Sequence, residues 1–438
     1  MGAQPPPQNP IPSMKRHHVL PLIIGALFLS AAALAQELPA AKPEAVGLSP
    51  ERLSRIAAVV QRDVDDKRIA GMVTMVVRHG QVAWFSAQGM ADREQGKPMQ
   101  KDAIFRICSM TKPITSTAFM MLYEEGRFTL DDPISKYLPE FKDPKVIVKP
   151  AAGQPYTIPA RREITIRDLL RHTSGLTYNW NDTLGQRYLD ANVASGLLQY
   201  DGTIGDSVKR LAAIPLLFNP GDRFEYSLSI DVLGRLVEVV SGMPLDEFLR
   251  TRIFAPLDMR DTCFFVSADQ LSRLATAYTY YDGKGLARFP DTPVTEGTMV
   301  YSADYPYSGP RKLFSGGGGL CSTARDYARF CQMILNGGTL NNTRILSRKS
   351  VELMTHDQLG KIDPDMGFGI GFGVSGVKAP LAELGSPGEY GWGGFFYTLF
   401  NIDPKEDMIV ISMGQLHPTG GLAVSAEVQT MAYQALSD

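Results

Sequence analysis

The sequence predicts an α/β sandwich: a sheet assembled from the two ends of the chain, covered by helices, with a helical insertion between them. Three observations predict it. Strand patterns occur near the start, at 71–89, and near the end, at 388–403 and 408–415. Helical patterns flank both groups, at 49–66 and 426–437. Residues 127–290 carry short helical patterns separated by Pro and Gly.

Taken in order, the chain opens on a Pro-rich stretch before Met14. Lys15 and Arg16 then precede an apolar run from Val19 to Leu34, which ends in the small-residue site Ala33-Leu34-Ala35. This pattern reads as a secretory signal peptide cut after Ala35, so residues 1–35 are set apart from the fold. The expected location is periplasmic or secreted, with no stable membrane anchor after cleavage. Ser49 caps the helix of 49–66, and Pro50 fits its first turn. Residues 71–89 alternate like two strands around His79-Gly80, a hairpin signal. A helix is expected over 109–126; Pro113 is tolerated near its start and Gly126 stops it. Within the insertion the clearest helices are 164–176 and 229–242. A helix ending in glycines follows at 323–338. Then come a strand over 388–403, its partner over 408–415 across the turn Pro404-Lys405-Glu406-Asp407, and a closing helix.

Composition narrows the function. The 438 residues suffice for one large domain or two moderate ones. A net charge of −2 without any block of like charges gives no reason to expect nucleic acid as a partner. Beyond the leader the histidines are His79, His172, His356 and His417, with no metal-ligand spacing and no C-x-x-C, so a metal site is not expected. There is no G-x-G-x-x-G after a strand, no P-loop and no G-x-S-x-G elbow, so no cofactor is expected. Cys108, Cys263, Cys321 and Cys331 are too sparse for a disulfide framework and read as small buried residues.

What remains is Ser109-Met110-Thr111-Lys112. Ser-x-x-Lys is weak alone, and a second copy occurs at Ser375-Gly376-Val377-Lys378. Context separates them: the second lies in a Gly-rich extended stretch, whereas the first opens a helix. Residues i and i+3 share a helix face, so Lys112 can reach the Ser109 hydroxyl. A serine hydroxyl needs an adjacent base, and the helix N-terminus favours developing negative charge. Alone, the tetrad reads first as an N-cap before a solvated lysine. Two further pieces favour chemistry. Tyr226-Ser227 stands ahead of a helix, where a tyrosine hydroxyl near the lysine can relay the proton. Trp392-Gly393-Gly394 begins a strand where glycines allow close approach of a substrate, and the Phe395 N–H is placed to join that of Ser109 on an oxyanion.

With these three motifs in order, the chain resembles the serine β-lactamase and penicillin-binding-protein superfamily, in its class C-like branch and closest to the family VIII carboxylesterases. The stretches 126–141, 166–176, 314–330 and 367–374 resemble that family as well, and the likeness spans roughly 42–436. It implies the β-lactamase/D,D-peptidase-like fold, an antiparallel sheet flanked by helices with an inserted all-helical domain. The α/β domain would take 36–110 and 295–438, and the helical domain 111–294. By position, Ser109 is the acylated nucleophile and Lys112 and Tyr226 form the proton-transfer pair. Ser109 and Phe395 supply the oxyanion-hole N–H groups, and Trp392, Gly393 and Gly394 bind substrate. Two departures bear on substrate. Leu228 stands where a class C β-lactamase has an Asn, and Trp392 where it has a Lys. Both losses disfavour β-lactams and peptidoglycan stems and point to short-chain carboxylic esters, small molecules, as substrates. The alternatives are a β-lactamase or D,D-peptidase, a transacylase variant of the same site, and a non-catalytic binding or scaffold member. His172 in this likeness ends a structural helix, and Asp231, five residues past Tyr226, caps or orients its helix.

Overall fold

The computed structural model describes residues 1–5, 7, 37–378, 381 and 383–438. The chain divides into Met1–Leu34 and a compact unit, Ala35–Asp438, which holds every element below. The leader expected over 14–35 and its cleavage point lie outside the described residues. Among the described residues no helix is long and apolar enough to cross a membrane.

Ser49 caps a single turn, Pro50–Leu53, by accepting the Arg52 N–H, and α1 then runs Arg55–Asp65. Strands β1 (Gly71–Arg78) and β2 (Gln81–Asp92) make the expected hairpin. His79 and Gly80 have φ of 51° and 70°, as a two-residue turn between right-twisted strands requires. A short β3 (Lys97–Pro98) follows, then α2 (Thr111–Glu124), entered through a 3-10 turn at Cys108–Met110. The insertion contributes α3 (Ser229–Ser241), stopped by Gly242 in the left-handed region. The chain continues through α4 (Ala324–Leu335), β4 (Gly373–Val374), β5 (Tyr390–Gly394), β6 (Thr398–Asp403), β7 (Met408–Met413) and α5 (Val424–Tyr433).

Two expectations change. Residues 388–403 read as one strand but fold as two, β5 and β6. The chain reverses over 395–397 because Phe396 is fully buried and Tyr397, at φ 67°, ties its hydroxyl to the Leu422 carbonyl at 2.9 Å. No glycine, asparagine or proline marks that reversal. The insertion is not helical throughout either. Lys145–Val148 pairs with Tyr156–Pro159, and Tyr278–Tyr281 with Gly285–Arg288. Both are short hairpins whose Gly and Pro residues mark turns without revealing what they join.

The main sheet has the order β4-β5-β6-β7-β1-β2-β3, and its pairings are antiparallel. β1 lies directly on β7, from Val73 opposite Met413 to Arg78 opposite Met408, so the two ends of the chain meet at the centre of the sheet. Both strands are buried along their whole length. Side-chain alternation then divides them between two cores. Val73, Met75, Val77, Ile409, Ile411 and Met413 face the larger core, with Phe119 of α2 and Tyr327 of α4. Met72, Val76, Met408 and Val410 face a smaller core with Ile56 of α1 and Val428 of α5. The free end of β5 runs beside the Cys108–Met110 turn, and this places the third motif next to the first.

Candidate active site

Ser109 sits in the 3-10 turn that leads into the N-terminal end of α2. Cys108 precedes it at φ 43°, a left-handed conformation rare for a side chain with a Cβ, so the turn carries local strain. The surroundings hold that turn in place. Tyr327 donates its hydroxyl to the Met110 carbonyl at 2.9 Å, and the Thr111 hydroxyl accepts the Leu320 N–H at 3.1 Å. Lys112, one turn on, is fully buried. Its Nζ donates to Ser109 Oγ at 3.3 Å, to the Tyr178 hydroxyl at 2.9 Å and to the Gly317 carbonyl at 2.6 Å.

The Gly317 carbonyl belongs to the run Gly316-Gly317-Gly318-Gly319, which presses against α2 and α3. Thr115 of α2 donates to the Gly316 carbonyl at 2.8 Å. A Cβ at Gly316 would lie 2.6 Å from the Ile230 carbonyl, so the run can approach both helices only without side chains. Asp231, in the first turn of α3, reaches across to this run instead of capping its own helix. It accepts from Ser315 Oγ at 2.5 Å and from the Gly317 N–H at 3.3 Å. Burial raises its carboxyl above the ordinary aspartate value, opposed by the Ser315 hydrogen bond and the charge of Lys112.

Tyr226 turns its ring face to Lys112, with Nζ 4.5 Å from the ring centroid, and its hydroxyl accepts the Trp392 indole N–H at 3.2 Å. The Tyr226 and Trp392 rings lie 5.4 Å apart. Tyr178, which no motif flagged, supplies the hydroxyl that Lys112 bonds directly. Burial pushes its phenol well above the ordinary value, so it is a neutral hydroxyl. Trp180 stacks on it at 4.0 Å and is partly exposed. The signal available for Tyr178 was slight: one tyrosine in the loop after Gly175, where no periodicity distinguishes a catalytic group from a packing one. His172 packs its ring against Tyr226, with centroids 4.9 Å apart, and accepts the Ser227 N–H at Nδ1 at 3.2 Å. Burial, with the charge of Lys112, drives it well below the ordinary histidine value, so it is neutral and supports Tyr226 from behind.

The three residues of the third motif take different places. Trp392 reaches Tyr226. Gly394 abuts the turn that carries Ser109: a Cβ there would lie 2.5 Å from the Ile107 carbonyl. Gly393 has room, with the Thr398 carbonyl 3.4 Å from a would-be Cβ, and with Trp392 it lines a cavity of about 520 Å³. That cavity's lining includes neither Ser109, Lys112 nor Tyr226. The close approach at Gly394 sets the end of β5 against the Ile107 carbonyl, two residues before Ser109, and the Phe395 ring stacks on His417 at 3.7 Å.

The second Ser-x-x-Lys is structural: Lys378 binds Asp357 at 3.3 Å and the Asp363 carbonyl. The four cysteines are unpaired, and Cys108, beside Ser109, is a buried thiol held above its ordinary value by burial. Among the described residues no group of three His, Cys, Asp or Glu is placed to hold a metal ion.

Residues 56–431 match the family described as Beta-lactamase. The chain belongs to the beta-lactamase family. It is a serine hydrolase of the β-lactamase-like superfamily, and its layers are those of that fold. Esterase EstB of Burkholderia gladioli is 35% identical over 373 residues, 82% of this chain and 90% of that protein. Protein Rv1367c of Mycobacterium tuberculosis is 35% identical over 387 residues, 85% of this chain and 92% of that protein. Among solved structures, EstCE1, described as a hydrolase with promiscuous acyltransferase activity, superposes with a TM-score of 0.76 at 29% identity. It covers 87% of this chain and 99% of its own. The likeness to family VIII esterases inferred from the three motifs agrees with these relatives.

Proposed function

We propose that this chain is a carboxylesterase that cleaves short-chain esters through an acyl-enzyme on Ser109. The observation that carries the reading is the fully buried Lys112 ammonium, bonded at once to Ser109 Oγ and to the Tyr178 hydroxyl beneath the Tyr226 ring. A surface cap would leave that lysine in water. Ser109 attacks the ester carbonyl as its proton passes to the Tyr226 oxygen, whose phenolate form the Lys112 ammonium beside it stabilises, so that the pair shares the proton work. The Tyr226 oxygen also accepts from Trp392, and the proton it takes from Ser109 is the one it hands to the leaving alcohol. The oxyanion forms against the N–H groups of Ser109 and Phe395, the alcohol leaves protonated by Tyr226, and water releases the acid.

The substrate class follows from the lining. Leu228 offers no amide, and Trp392 puts an indole where a carboxylate-binding lysine would favour β-lactams. Aromatic faces at Tyr178, Trp180, Tyr226 and Trp392 suit a small uncharged ester. The likeness to EstB supports the esterase reading. Acyl transfer to an alcohol or amine is a second reading, favoured by the description of EstCE1. We also propose that the chain acts after export, on the basis of the leader pattern at 14–35.

The test compares p-nitrophenyl butyrate and nitrocefin, for wild type and Ser109→Ala. Butyrate hydrolysis lost in the variant, with slow nitrocefin turnover in the wild type, supports the reading. Nitrocefin turnover exceeding ester turnover favours a β-lactamase, and ester activity surviving Ser109→Ala removes the nucleophile.

A further inference from the structure

Lys112 is fully buried, yet its three hydrogen-bond partners are neutral: a hydroxyl, a phenol and a carbonyl. A buried ammonium is costly unless its surroundings are fixed. The Gly317 peptide unit ties it to an anchor. Its carbonyl accepts Lys112 Nζ at 2.6 Å, while the N–H of the same residue donates to Asp231 Oδ1 at 3.3 Å. Ser315 donates to that same carboxylate oxygen at 2.5 Å, so Asp231 grips the glycine run at two points, on either side of Gly316. The other oxygen, Oδ2, is buried with no hydrogen-bond partner among the described residues.

The grip has a geometric consequence. Gly317 packs against both Asp231 Oδ2 and the Tyr178 hydroxyl; a Cβ there would collide with the first and come within 3.4 Å of the second. The glycine run therefore sits tight against the carboxylate and the cluster around Lys112. A run of four glycines has no side chains of its own to set where its carbonyls point, so an outside anchor must do so. We propose that Asp231 is the positioning residue of Lys112, acting through the Gly317 peptide to hold the ammonium against Ser109. This rests on the acyl-enzyme reading of Ser109 and Lys112. It assigns to Asp231 neither contact with substrate nor proton transfer.

The experiment measures the labelling rate of Ser109 by a fluorophosphonate probe, with kcat and KM for p-nitrophenyl butyrate, in wild type, Asp231→Ala, Asp231→Asn and Ser315→Ala. Asp231→Ala should slow labelling and lower kcat by roughly 10- to 100-fold with KM within about twofold, as a change confined to the transition state does. Asp231→Asn keeps an oxygen that accepts from Ser315 and Gly317, and should recover kcat to within about fivefold of wild type. Ser315→Ala removes one of the two grips and should lower kcat about threefold at constant KM. Wild-type labelling by Asp231→Ala overturns the proposal, as does an Asp231→Asn protein no better than Asp231→Ala. Should Asp231→Ala fail to fold by near-UV circular dichroism, Ser315→Ala decides: an unchanged kcat there overturns it. A wild type that the probe does not label sinks the acyl-enzyme reading itself, an outcome distinct from all of these.

Discussion

Replacing Gly394 by alanine tests whether the end of β5 must touch the nucleophile's turn. An added Cβ would lie 2.5 Å from the Ile107 carbonyl, half an ångström inside the 3.0 Å that real Cβ atoms keep, and closer still to Thr398 Oγ1. The threonine can rotate, but the Ile107 carbonyl is backbone and immediately precedes the strained Cys108. The strand must therefore back away, and the Phe395 peptide moves with it. A displacement approaching 1 Å at a catalytic group can cost about 100-fold in rate, and loss of one oxyanion donor costs about 3 kcal/mol, a similar factor. Gly393→Ala is the internal control, since its Cβ would meet nothing closer than 3.4 Å. The assay is kcat and KM for p-nitrophenyl butyrate, with thermal melts to confirm folding. Gly394→Ala should lose kcat roughly 100-fold with little change in KM, and Gly393→Ala less than about fivefold. Equal activity in the two variants, or a Gly394→Ala protein at the wild-type rate, would refute the role given to this contact.

Two other outcomes are expected. Trp392→Phe keeps the ring beside Tyr226 but deletes the indole N–H donated to its hydroxyl, and should lower kcat for the butyrate ester about 3- to 10-fold while leaving Tm unchanged. Away from the site, Asp168 gives stability a pH dependence. Burial pushes its carboxyl up, but Arg162 and the backbone and hydroxyl of Thr165 outweigh burial, so it lies below the ordinary aspartate value. A depressed carboxyl stabilises the fold above the unfolded value, near pH 3.9, and loses that contribution as pH falls through the folded value. Asp168→Asn should therefore cost about 1–3 kcal/mol at pH 7, and the gap in Tm from wild type should narrow as the pH is lowered toward 3. A gap independent of pH would contradict this.

The parts of the molecule that sequence alone determined are those whose physics is local. Ser109 and Lys112 share a helix face because they are three residues apart at a helix start. The hairpin of β1 and β2 was legible because His79-Gly80 can adopt positive φ, and the glycine stops at 126 and 242 for the same reason. The strand patterns at 71–89 and 408–415 marked β1 and β7, and the three motifs with their fillers carried the family. Tertiary structure decided what local rules cannot reach. The reversal at 395–397 was hidden because burial of Phe396, not a turn residue, fixes it. Tyr178 lies 66 residues from Lys112 and the Gly317 carbonyl 205 residues away. A tyrosine in a loop has no periodicity that separates a lysine's partner from a packing ring, and a backbone carbonyl exists at every residue. Asp231 looked like a cap from its place in the first turn of α3, and only packing showed its carboxylate spent on another segment. The pairing of Ser109 with Lys112 is written in sequence; the surroundings that bury the lysine are assembled by folding, since partners so far apart in the chain meet only once the helices and sheet have packed.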